Sequence, residues 1–159
     1  MKGLGATNYI LGMEIKRDRA KRKLWLNQRK YVKKILQRFN MEDSKPVKVP
    51  IHVGVKLSVE QCPKTQEEEE DMFCVPYASA VGSLMYAMVC TRPDIAHVVG
   101  VLSRFMSNPG KEHWTTVKRV FRHLRGTSDY GLCYQGRPGL ERVLVIHGFV
   151  DAKDRKSVV

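Results

Sequence analysis

The chain lacks several features that would point to a specific chemistry. Its four cysteines, Cys62, Cys74, Cys90 and Cys133, form no C-x-x-C pair and have no matching histidine spacing, which argues against a zinc site. Cys90 lies in an apolar stretch and reads as a small buried hydrophobe. No signal peptide is recognisable, since the first apolar run, Tyr9 to Met13, is far too short. The apolar helices are interrupted well before the ~20 residues of a membrane span. These absences predict an intracellular, reducing setting, cytoplasmic or nuclear, with no secretion and no membrane partner. There is also no glycine-rich phosphate loop, no G-x-S-x-G and no H-E-x-x-H. Adjacent acids occur only in the surface run Glu67 to Asp71, apart from the Glu42-Asp43 pair in an aperiodic stretch. Phosphoryl transfer needs metal-binding carboxylates, so the expectation is a chain with no catalytic step. The histidines His52, His97, His113, His123 and His147 are scattered. Of these, His97 falls beside an apolar stripe and is expected in or at the edge of the core, not as a partner for Cys90.

Positive charge is abundant. The 159 residues carry 28 Lys and Arg against 16 Asp and Glu, a formal net charge of +12. Glu60 and the run Glu67 to Asp71 hold six of those acids, so the remainder is more basic still. Such a balance favours a polyanionic partner, because Lys and Arg neutralise phosphates and release condensed counterions.

Taken in order, Tyr9 to Ile15 reads as a strand, Lys16 to Arg22 as a charged turn and Lys23 to Leu26 as a second strand, together a β-hairpin. Trp25 is available to stack on a base, although an aromatic in a hairpin is more commonly core. Asn27 is placed to cap a helix from Gln28 to Phe39. Its apolar face is Tyr31, Val32, Ile35, Leu36 and Phe39, and its polar face Arg29, Lys30, Lys33, Lys34 and Arg38. That polar face is either a solvated surface or a row of phosphate contacts. Periodicity is lost from Asn40 to Val75, where Pro46, Pro50, Gly54 and Pro63 predict an extended linker. Thr65 followed by Glu68 predicts a capping box opening a short acidic helix.

The strongest periodicity runs from Tyr77 to Thr127. A helix over Ala78–Cys90 should stop at Thr91-Arg92-Pro93, because the residue before proline is pushed out of the α region. Asp94 is the expected N-cap of a second helix, with Ile95, Val98, Val99, Leu102, Phe105 and Met106 as its core stripe. Asn108-Pro109-Gly110 breaks it. A third helix shows Trp114, Val117, Val120, Phe121 and Leu124 on one side and Lys118, Arg119, Arg122 and Arg125 on the other. Gly126 is expected as its left-handed C-cap. Strands follow at Tyr130–Tyr134 and Val143–Asp151.

The runs PYASAVGSLMYAMVCTRPDIAHVVGVLSRFMSNPGKEHW and VKRVFRHLRGTSDYGLCY resemble the Pol polyprotein of copia-type LTR retrotransposons, and so do MKGLGATNYILGMEIKRDRAKRKLWLNQRKYVKKILQRFNM and GFVDAKDRKS. The resemblance spans nearly the whole chain in the family's order. It implies the thumb and connection region of a reverse transcriptase, up to the first strand of ribonuclease H. On that reading the helix of Lys30 to Arg38 lies on the side that grips the primer-template. Asp151 matches the first ribonuclease H carboxylate. The family's Asp-Ala-Asp is here Asp151-Ala152-Lys153, which puts a lysine where a second carboxylate is expected. The Tyr-Val-Asp-Asp turn that holds catalytic Mg²⁺ in the family is absent.

The fold class expected is α+β, α-dominated: an N-terminal β-hairpin plus basic helix (1–40), an extended linker with an acidic run (41–75), a three-helix block (76–127) and a C-terminal β-hairpin fragment of a ribonuclease H-like domain (128–159). No catalytic residue, metal ligand or cofactor is expected in this segment, Mg²⁺ belonging to the intact family. The expected partners are RNA, DNA or an RNA–DNA hybrid, and the rest of the Pol polyprotein. The nucleic-acid contacts expected are Arg29, Lys30, Lys33, Lys34 and Arg38, with Lys118, Arg119, Arg122 and Arg125. The family's intact product resides in a cytoplasmic virus-like particle. The alternative reading is a transposon remnant without activity, or a host protein-interaction module.

Overall fold

The computed structural model describes residues 8–136. Five α-helices and four strands stand in the order β1 (Tyr9–Ile10), β2 (Met13–Asp18), β3 (Lys23–Asn27), α1 (Arg29–Arg38), α2 (Gln66–Phe73), α3 (Tyr77–Cys90), α4 (Ala96–Ser103), α5 (Lys111–Gly126) and β4 (Gly131–Gln135). Among the described residues no single helix is long and apolar enough to cross a membrane. The described part is mixed α and β, with one antiparallel sheet in the order β1-β2-β3-β4.

One helical core holds the molecule together. It combines Val32, Ile35 and Leu36 of α1 with Tyr77, Val81 and Leu84 of α3, Val98, Val99 and Leu102 of α4, and Val117, Phe121 and Leu124 of α5. The buried positions of α1 and α5 match the apolar stripes read from their 3.6-residue period. Among the described residues no strand position belongs to this core. The aperiodic stretch after α1 does not hold two lobes apart: Met41, Ile51, Leu57 and Val75 pack against the same core.

Several local expectations are corrected. The first predicted strand, Tyr9–Ile15, is broken into β1 and β2 by a two-residue turn. Leu11 and Gly12 have φ of 47° and 78° between the paired residues Ile10 and Met13. Positive φ at both central positions is what a tight hairpin turn requires, and a leucine meets it at a conformational cost. The Tyr86 hydroxyl of α3 donates to the Leu11 carbonyl, fastening the tip to the helices. Tyr31 packs edge-on against Tyr86 at 4.9 Å.

α1 ends in a Schellman motif, which its sequence does not signal with a glycine. Asn40 adopts φ 53°, its N–H reaches the Gln37 carbonyl, and the Met41 N–H reaches that of Leu36. Asn27 sits one residue before the N-cap position, Gln28, yet its side-chain oxygen accepts from the Arg29 N–H at 3.2 Å. The Thr65–Glu68 capping box opens α2 as expected.

α3 stops at Thr91, as the Arg92-Pro93 pair requires. Asp94, the expected cap of the next helix, makes no such bond. Its carboxylate is taken instead by the buried guanidinium of Arg92, at 2.9 and 2.7 Å, and by His123 at 3.0 Å. α4 ends at Ser103, so Phe105 is buried beyond the helix and Met106 is exposed. His97 is exposed rather than core. Among the described residues the buried imidazoles are those of His113 and His123.

The glycines at the two ends of α5 are explained by close approach of other parts of the chain. A Cβ on Gly110 would lie 1.8 Å from the Gln61 carbonyl oxygen, and one on Gly126 would lie 3.0 Å from Pro46 Cβ. Gly126 is the last residue of α5 and does not have the positive φ expected of a left-handed cap.

The C-terminal strand also departs from expectation. β4 joins the N-terminal sheet. It pairs with β3 through Leu24↔Tyr134, Trp25↔Cys133 and Leu26↔Leu132. With Ile15 opposite Leu26 on the other side, the register lines Ile15, Leu26 and Leu132 into one apolar row, because side chains on paired positions share a face. The strand predicted at Val143–Asp151, with Asp151, lies outside the described residues.

Candidate nucleic-acid interface

The ten residues of α1 separate their chemistry cleanly by face. Val32, Ile35 and Leu36 are buried, while Arg29, Lys30, Lys33, Lys34 and Arg38 are all exposed. Lys30 lies 3.4 Å from Glu14 of β2 and 5.2 Å above the Tyr9 ring. Such an exposed pair is worth little and leaves the ammonium available to another anion. Arg38 leans over Phe39, at 5.5 Å from the ring. Among the described residues no carboxylate is ion-paired with Arg29, Lys33, Lys34 or Arg38.

The cations of α5 are placed differently. Lys118, Arg119, Arg122 and Arg125 are only partly exposed, and the segment after α1 crosses the last two. Arg122 Nε donates to the Lys45 carbonyl and Arg125 Nη1 to that of Ser44, each at 2.6 Å. The Val47 N–H returns a bond to the Arg122 carbonyl. The Arg119 Nε is buried with no hydrogen-bond partner among the described residues. Two of these four residues therefore strap the chain to its core.

α1 and α5 pack side by side. At the C-terminal ends of both, a cleft of about 310 Å³ is lined by Lys33, Leu36, Gln37, Glu42, Arg125 and Ser128. It brings one predicted contact from each helix to a single place. The others remain apart, Arg29 and Lys30 near the sheet and Lys118 and Arg119 along α5. Trp25 is half-buried on the sheet with the Lys16 ammonium 6.0 Å from its ring centroid, and it is not part of the core.

Sequence reasoning missed the most heavily bonded polar group. Arg92 is 1% exposed and also donates to the Thr127 carbonyl and hydroxyl, at 3.0 and 2.6 Å, while its guanidinium lies 5.7 Å from the Tyr130 ring. Burial raises the Asp94 pKa, but the hydrogen bonds from His123 and Arg92 and the Arg92 charge outweigh it and hold the carboxyl well below its ordinary range. The guanidinium nitrogens of Arg92 are all engaged by Asp94, His123 and Thr127, which ties the end of α3 to the exit of α5. Burial likewise lowers the His113 pKa. Its Nδ1 accepts from the Gly110 N–H at 2.9 Å, and its ring stacks on Phe105 at 4.0 Å. Among the described residues no group of three His, Cys, Asp or Glu side chains is arranged to hold a metal ion.

The geometry defines a helix-cored α/β module that displays one continuous basic helix face beside a small antiparallel sheet. The chain belongs to the retrovirus-related Pol polyproteins of copia-type plant transposons, as a segment of them. It is 56% identical over 152 residues to the Retrovirus-related Pol polyprotein from transposon TNT 1-94 of Nicotiana tabacum, covering 96% of this chain and 11% of that protein. The Pol polyprotein from transposon RE2 of Arabidopsis thaliana is 37% identical over 145 residues, 91% of this chain and 9% of its own length. The chain is also similar to Secreted RxLR effector protein 161 of Plasmopara viticola, 51% identical over 78 residues, 49% of this chain and 52% of the effector. It thus spans about a tenth of the length of the polyproteins it matches. No protein-family profile and no solved structure matches it.

Proposed function

We propose that this segment grips the sugar-phosphate backbone of a nucleic acid, an RNA–DNA hybrid or either duplex, on behalf of a retrotransposon polyprotein, without a catalytic step of its own. One observation carries the reading. Five cations lie along the ten residues of α1, all exposed, with one weak intramolecular ion pair among them. A rigid helix with that spacing presents charge to a polyanion without reading bases, so binding is sequence-independent and steeply salt-dependent. The partly covered cations of α5 add a smaller share.

The test is binding of the purified chain to a labelled RNA–DNA hybrid at several salt concentrations. The triple variant Lys33→Gln/Lys34→Gln/Arg38→Gln should bind more weakly and reduce the salt slope by about three, roughly one for each cation removed. Unchanged affinity and slope in a folded variant would sink the proposal. The second reading, a protein-interaction module, draws on the exposed Met85, Tyr86 and Val89 of α3 beside Leu11. A folded chain indifferent to hybrid would favour it.

A further inference from the structure

We infer that the cleft between α1 and the end of α5 is the seat of a single backbone phosphate, an assignment that rests on the reading above and fixes one contact within it. Lys33 from α1 and Arg125 from α5 line this cleft, with the Gln37 amide and the Ser128 hydroxyl as neutral donors. Arg125 is held by its bond to the Ser44 carbonyl. A guanidinium has five N–H donors, so one such bond fixes the plane and leaves the remaining donors for an anion. Lys33 has no ion-paired carboxylate among the described residues.

Glu42 shares the cleft but forms an ion pair with neither cation. The lining therefore keeps a net single positive charge, which suits one phosphodiester and disfavours a dianion. Arg29, Lys30, Lys34 and Arg38 of the same helix are exposed as well. A repeating anion is the ligand that engages a row and a seat together, which selects the polymer backbone over a lone carboxylate. The Schellman turn at Asn40–Met41 fixes the direction in which the chain leaves α1 just before Glu42. Glu42 on this reading limits how tightly the seat closes on its phosphate.

Two substitutions that remove the same charge from the same exposed helix separate the seat from the general reading. Hybrid affinity and salt slope are measured for wild type, Lys33→Gln, Lys34→Gln and Glu42→Gln, each checked for helical content. Lys33→Gln should weaken binding about tenfold, the effect of losing a charge-assisted hydrogen bond. Lys34→Gln should weaken it only about twofold, as for a solvated charge. Glu42→Gln should tighten binding. Equal losses for Lys33→Gln and Lys34→Gln would overturn the seat and leave the general reading standing. No loss from either would overturn both. A further arm titrates inorganic phosphate against chloride at matched ionic strength. Displacement of hybrid from the wild type but not from Lys33→Gln would show phosphate and hybrid competing for the cleft, as the seat requires. Phosphate that binds the wild type through Lys33 while leaving hybrid bound would give the cleft to the free ion, and the assignment to the polymer backbone would fall.

Discussion

Arg92 illustrates how a single side chain can organise the join between two parts of a chain. Its guanidinium is bidentate to Asp94 and reaches both the carbonyl and the hydroxyl of Thr127. It is buried, so these bonds replace water it could not otherwise recover, and an unpaired guanidinium there would be costly. The acid behaviour of the protein follows from its neighbours. Asp94 has a folded pKa below its ordinary value, so its contribution to stability is complete above about pH 4 and is lost as the pH falls further. His113 is also depressed. The unfolded chain takes up that proton first, so this contribution is complete above about pH 6.5 and declines below it. Urea midpoints should therefore fall in two stages on acidification. Asp94→Asn should remove the lower stage and keep the upper one, and a variant retaining both would contradict the assignment.

At the scale of elements, β4 shows what depends on a glycine. A Cβ on Gly131 would stand 2.3 Å from the Leu26 carbonyl oxygen and 2.9 Å from Asn27 Cβ, so β4 can approach β3 this closely only with no side chain there. Gly131→Val should push β4 off the sheet. Amide hydrogen exchange would show the β3–β4 hydrogen bonds losing protection while α3 and α5 keep theirs. Protection unchanged across β3 would mean the close approach is not required. The Leu11-Gly12 turn is a second case, with the strain of a left-handed leucine offset by the Tyr86 hydroxyl on α3.

For the molecule as a whole, the shared core decides cooperativity. The periodic stretches α1 and α3 to α5 are separated by more than thirty residues of aperiodic sequence, from Phe39 to Pro76, yet their buried side chains form one cluster. Arg122 and Arg125 fasten that segment across α5. Unfolding in urea should therefore be a single transition, with tryptophan fluorescence from Trp25 and Trp114 and far-ultraviolet circular dichroism giving the same midpoint. Separate midpoints would indicate two independently folding lobes. The net charge of +12 acts at this scale too, drawing the whole module toward a polyanion before any individual contact forms.

Much of this was legible in residue order. The 3.6-residue stripes of α1 and α5 named their buried faces, the Thr65–Glu68 box marked the start of α2, and Pro93 marked the end of α3, because each depends on neighbours within a turn or two. The exposed cations of α1 followed from the same periodicity. Contacts between residues far apart in the chain were decided only by the tertiary structure. Asp94 sits where a cap belongs, but a buried guanidinium two residues away and a histidine twenty-nine residues on compete for its oxygens. The basic face of α5 was correctly located in sequence, while its partial covering depends on where residues 44–47 cross it. β4 read as the start of something new, and its partner proved to be a strand more than a hundred residues earlier. Local hydrogen bonding and periodicity are written in short windows of sequence, whereas burial of polar groups and strand pairing depend on which distant surface arrives first.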